Sequence, residues 1–138
     1  MRECTRVQDF EKNGYCLVPQ LFSSEQLEPI VSIIESFHSS WQKDNQAFYQ
    51  SRAINSAYLT ADKYLDESQR LALFRLITSA PLVTQVSSLL GQAPGFMGSQ
   101  LFFDPVDPKR KNYWHRDPQY HLDLEQQKAA LKGPEVLH

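Results

Sequence analysis

Cysteine is scarce in this chain: only Cys4 and Cys16 occur among 138 residues. Two thiols so placed make neither a disulfide scaffold nor the paired spacing of a zinc site, so both are expected to be free, with Cys16 buried in a strand. Long apolar runs are missing as well. Nowhere do about 18 consecutive apolar residues occur, and Met1–Asn13 has no apolar stretch of signal-peptide length, so the sequence predicts a soluble, cytoplasmic protein without a membrane partner. An excess of charge is also lacking, since 14 Lys and Arg stand against 16 Asp and Glu, for a net charge of -2. Nothing here forms a basic face, which argues against a nucleic-acid partner. There are no internal repeats, low-complexity tracts or linkers, and residues 1–138 are expected to form a single domain.

What is present is a series of helix and turn signals. Thr5 can cap a short helix that carries Val7 and Phe10 and closes at Asn13-Gly14, where glycine accepts a left-handed conformation. Tyr15–Val18 reads as a strand broken by Pro19 and Gln20. Ser23-Ser24-Glu25-Gln26 is a capping box, and the helix behind it should run to about Lys43 with Leu27, Ile30, Val31, Ile34, Phe37 and Trp41 as one buried stripe. His38, beside that stripe, is expected to be a surface or boundary residue. From Asp44 to Asp62 periodicity fades, which predicts an irregular connection anchored by its aromatics, a kind of segment that can border a substrate. Asp66-Glu67-Ser68-Gln69 repeats the capping logic and opens a helix to Thr78 that buries Leu71, Phe74 and Ile77 or their neighbours. Ser79-Ala80-Pro81 opens another, closed by Gly91.

Phe96–Phe103 then reads as a strand with Gln100 as its lone amide. If buried, that amide must find hydrogen-bond partners, and in a barrel-like site it can donate to a carboxylate ligand; an outward-facing glutamine is the commoner case. Asp104–Asn112 is a polar turn. It leads into Tyr113-Trp114-His115-Arg116-Asp117-Pro118, in which an imidazole and a carboxylate two residues apart on extended chain share one face. One neutral histidine and one carboxylate form two-thirds of the facial triad that holds non-haem Fe(II) with positions left open. A second triplet, His121-Leu122-Asp123, opens a run that looks helical or irregular. With about a quarter of one such triplet expected by chance from composition, context must separate the two. His115 follows a strand and a turn and Pro118 stops the chain after Asp117, which favours the first.

The Trp-His-x-Asp segment resembles the metal-binding segment of the phytanoyl-CoA dioxygenase family of Fe(II)/2-oxoglutarate oxygenases. Phe10-Glu11-Lys12-Asn13-Gly14-Tyr15-Cys16-Leu17-Val18-Pro19, followed by Leu21–Leu27, is similar to that family's N-terminal pattern, and both segments occur in the family's order. The residues around His115 read closer to its small-molecule hydroxylases than to its protein hydroxylases. The resemblance implies an α+β fold in which N-terminal helices pack on a double-stranded β-helix, a jelly-roll or cupin-like core that is incomplete here, with three or four of its eight strands. It implies His115 and Asp117 as iron ligands and catalytic residues, 2-oxoglutarate and O2 as cosubstrates, Gln100 near the cosubstrate, and Tyr120 and His121 at the wall facing a small-molecule substrate. A cosubstrate lysine does not carry over, because Asp104 stands where the family often has one.

By the same resemblance the distal histidine and the 2-oxoglutarate-binding arginine lie beyond His138. The chain is therefore expected to be the N-terminal portion of a longer oxygenase domain and inactive by itself. The competing expectation is a non-catalytic interaction module that pairs with a partner or itself through an open sheet edge. A pseudoenzyme without iron is disfavoured, since both proximal ligands are present.

Overall fold

A computed structural model describes residues 2–51, 55–103, 109, 122–130 and 132. Six helices and two strands run in the order α1 (Arg2–Asn13), α2 (Ser24–Asp44), α3 (Gln46–Ser51), β1 (Asn55–Tyr58), α4 (Glu67–Ile77), α5 (Ala80–Leu90), β2 (Gln100–Phe103) and α6 (Leu124–Ala130).

The helix boundaries follow from local chemistry. At the head of α2 the Ser23 hydroxyl accepts from the Gln26 N–H at 3.4 Å while Gln26 Oε1 accepts from the Ser23 N–H at 2.9 Å. Asp66 and Gln69 do the same for α4, at 2.8 and 3.0 Å. These exchanges satisfy donors that a helix start leaves without partners. At the other ends, Gly14 and Gly91 take φ of 77° and 66°, the left-handed turn that stops α1 and α5. Helix α1 begins at Arg2, ahead of the expected Thr5 cap.

The core lies where α2 meets α3 and α4. Ile30, Phe37 and Trp41 project from one stripe of α2, joined by Tyr49 of α3, by Leu65 just ahead of α4 and by Leu73 within it. Phe37 is wholly buried and meets Tyr64 edge-on at 5.5 Å between ring centroids, while Trp41 meets Phe48 and Tyr49 in the same manner. Val31, one position off the stripe, is 49% exposed. On α4 the buried side chain is Leu73, and Leu71 and Phe74 turn outward, so the helix is rotated from the expected face towards their neighbours. The apolar face of α5 is half-buried. Helix α1 packs on α5, where Arg6 Nη1 donates to Gln85 Oε1 at 2.6 Å.

Strands β1 and β2 form one antiparallel pair with Asn55 opposite Phe103 and Tyr58 opposite Gln100, so the ladder spans α4 and α5. Its end is extended by Leu59 N–H donating to Ser99 C=O at 3.3 Å and by Ser99 Oγ to Thr60 Oγ1 at 3.2 Å. Among the described residues this pair is the whole of the sheet, a mixed α and β arrangement that does not show a double-stranded β-helix.

Three local expectations need correction. Tyr15–Val18 is not a strand, and Tyr15 and Leu17 are 64% and 79% exposed. Strand-forming composition needs a neighbour to take its backbone groups, and no described strand lies beside this segment. Cys16 is accordingly half-buried and free. The expected strand Phe96–Phe103 is paired only over Gln100–Phe103. The connection after Asp44, expected to be irregular, contains α3 and β1; Asn45 organises its start by donating from Nδ2 to Trp41 C=O at 2.8 Å and to the Tyr64 hydroxyl at 3.0 Å. Among the described residues no single helix is long and apolar enough to cross a membrane.

Candidate functional site

The sheet presents two unlike faces. Directly paired residues in an antiparallel ladder share a face and alternate along it. Ala57 and Leu101 face the helices and pack against the core. Tyr58 with Gln100, and Phe102 beyond, therefore occupy the opposite face, where Tyr58 is 65% and Phe102 60% exposed. Gln100 is exposed there too, so its amide meets solvent and not the core. The outward orientation leaves that amide available to whatever lies on the far side of the sheet.

His115, Asp117, Tyr120 and His121 lie outside the described residues. Lys109, in the turn before them, is exposed. Among the described residues no group of three histidine, cysteine, aspartate or glutamate side chains is placed to hold a metal ion. Comparison with family models, curated proteins and solved structures returns no match. The functional reading therefore rests on the residues themselves.

One of the two His-x-Asp triplets now has a partly described role. Asp123 precedes α6, and its Oδ1 accepts from the Gln126 N–H at 2.8 Å while Gln126 Oε1 accepts from the Asp123 N–H at 3.0 Å. Asp123 is thus the acceptor of a third capping box, with the same x-x-Gln spacing as Ser23 and Asp66. The sequence carried this signal, and reading the residue only as the end of a His-x-Asp triplet hid it. A carboxylate that starts a helix has one oxygen committed and its direction fixed by the backbone. His121-Leu122-Asp123 is the weaker metal candidate for that reason.

The shifted acidities among the described residues belong to helix starts and a surface pair. The Asp66 carboxyl is held below its ordinary range by the Gln69 N–H and then the Ser68 hydroxyl, and that of Glu25 is lowered first by the Ser23 hydroxyl. Lys63 is raised by the Tyr64 hydroxyl and by Asp44, whose carboxylate lies 3.1 Å away. These groups shape caps and a surface ion pair, and none sits on the Tyr58–Gln100–Phe102 face.

Proposed function

We propose that this chain supplies the proximal part of a non-haem Fe(II)/2-oxoglutarate dioxygenase that hydroxylates a small molecule. What supports the reading is the likeness of Trp114-His115-Arg116-Asp117-Pro118 to the metal-binding segment of the phytanoyl-CoA dioxygenase family, while the second triplet ends in Asp123, whose carboxylate caps α6. The donor chemistry fits the metal, because one imidazole and one carboxylate suit Fe(II) and keep coordination positions open. Held there, iron would couple the decarboxylation of 2-oxoglutarate to succinate and CO2, which takes up one oxygen atom of O2, to insertion of the other into a substrate C–H bond.

The protein's own residues have separate tasks in this reading. His115 and Asp117 hold the metal, the carboxylate offsetting cation charge and the imidazole presenting one nitrogen while the other is fixed by an acceptor. Gln100 stands on the sheet face that the helices leave open, a placement that suits an amide donating to a carboxylate. Tyr120 and His121 contact the substrate. The distal histidine and the arginine are, by resemblance, outside this sequence, and two ligands alone bind iron weakly.

The test is anaerobic Fe(II) and 2-oxoglutarate binding to this chain and to a form extended along its reading frame, followed by charge-transfer absorption. The extended form is expected to develop the band, His115→Ala and Asp117→Ala to lose it, and Asp123→Ala to keep it. A band that survives His115→Ala, or disappears only in Asp123→Ala, defeats the assignment.

A second reading has its own observation. The uncovered aromatic pair Tyr58 and Phe102 suits a non-catalytic module that associates through its sheet. Sedimentation separates the two: a stable oligomer that binds no iron in any form supports the module.

A further inference from the structure

Residues 14–22 join α1 to the cap of α2, yet α1 packs against α5, far along the chain, where Arg6 Nη1 donates to Gln85 Oε1 at 2.6 Å. Arg6, Val7 and Phe10, spaced to share one face of α1, are half-buried. The connection that brings α1 back onto the bundle bends at two left-handed residues. Gly14 takes φ of 77°, and Pro19 opens a turn whose next residue, Gln20, takes φ of 57°. Glycine is at ease in that region, whereas the Cβ of a glutamine there crowds the backbone. The folded-back connection therefore holds strain at Gln20 that a straight one would release.

Between the two bends, burial alternates. Tyr15 and Leu17 are 64% and 79% exposed while Cys16 and Val18 are half-buried, the period of a strand with one face to solvent. Pro19 has no N–H and ends any ladder there. A second copy of the segment, running antiparallel about Cys16, sets Tyr15 opposite Leu17 and keeps both on one face. So short a ribbon is far below the roughly 1,000 Å² that a stable interface needs, and it does not hold two copies together by itself. Exchange of α1 supplies the rest, because it turns the α1–α5 contact of each copy into a contact between copies and requires no new surface. The gain over two monomers is then the ribbon and the relieved strain at Gln20. We propose that two copies of this chain form a dimer by exchanging α1, with residues 14–22 straightened into hinges whose Tyr15–Val18 segments pair antiparallel across the two-fold axis. The proposal rests neither on the iron reading nor on the Tyr58–Phe102 face.

The experiment refolds the full chain from urea at the concentration of an NMR sample, as an equal mixture of isotopically labelled and unlabelled copies, so that α1 can choose between its own α5 and another copy's. Mass is read by light scattering and contacts by isotope-filtered NOEs. Expected are a dimer, filtered NOEs from Val7 and Phe10 of one copy to α5 of the other, and a dimer about tenfold weaker in Gln20→Gly, which removes the strain from the closed form. A chain that stays monomeric, a dimer whose α1–α5 contacts all lie within one copy, or a dimer not weakened by Gln20→Gly overturns the proposal. The second of these outcomes belongs instead to association through the Tyr58–Phe102 face.

Discussion

Phe37→Ala is expected to remove the centre of the helical layer. The ring is wholly buried and sits among Ile30, Trp41, Leu65 and Leu73, with the Tyr64 ring edge-on at 5.5 Å. Truncating such a ring costs about 3–5 kcal/mol, of which roughly 0.5–1.5 belongs to the ring pair. Against a typical folding free energy of about 5–15 kcal/mol, that loss leaves much of the population unfolded under mild denaturation. With a urea dependence of about 2 kcal/mol per molar, the midpoint should fall by about 2 M. Trp41, one turn along α2, reports the transition through its fluorescence. Phe37→Leu, which keeps most of the volume, should lose far less, and pairing it with Tyr64→Leu should give a coupling of about 1 kcal/mol. A midpoint shift in Phe37→Ala below about 0.5 M would show that this contact does not hold the layer together.

Acid should loosen α4 through Asp66. Because its folded carboxyl lies below the ordinary 3.8, its contribution is complete above that value and is lost as pH falls through the lowered one. Asp66→Asn keeps an acceptor oxygen without the charge, so the two chains should differ in melting temperature at pH 7 and converge as acid titrates the carboxyl through its lowered value; a difference that does not shrink with acid contradicts the assignment. Gly91→Ala forces a side chain into a φ of 66° although nothing lies within 4 Å of the added carbon, so the cost is purely conformational, about 1–2 kcal/mol, and Gly91→Asn should recover part of it. Equal melting temperatures for Gly91→Ala and the parent would refute that account.

The parts of the fold written in short-range chemistry are legible in the amino-acid sequence. The Ser23 and Asp66 boxes, the Gly14 and Gly91 stops and the Ile30–Phe37–Trp41 stripe each depend on residues within a turn or two of one another. The strands were not legible in this way. Asn55–Tyr58 holds Asn, Ser and Ala, poor strand formers, and becomes a strand because β2 pairs with it, whereas Tyr15–Val18 has the better composition and no described partner. The face of α4 is left open between Leu71, Phe74 and Ile77 and their neighbours because Leu71, Ala72, Leu73, Phe74, Leu76 and Ile77 are all apolar, so periodicity alone does not choose Leu73. Of the candidate site, Gln100 was found on a strand as expected and facing outward. His115, Asp117, Tyr120 and His121 lie outside the described residues, and Asp123 gained a structural role that its neighbour His121 had obscured.

The β1–β2 ladder fastens the chain across residues 59–99, which hold both α4 and α5. Closing so long a loop is entropically unfavourable while the intervening chain is loose, and becomes cheaper once the two helices have shortened it. The strands are thus expected to close late, as a clasp on a helical layer that is already in place. Opening runs in reverse: the Ala57 and Leu101 amides should exchange with solvent while the amides around Leu73 stay protected, and the aromatic face bearing Tyr58 and Phe102 comes apart before the helices do.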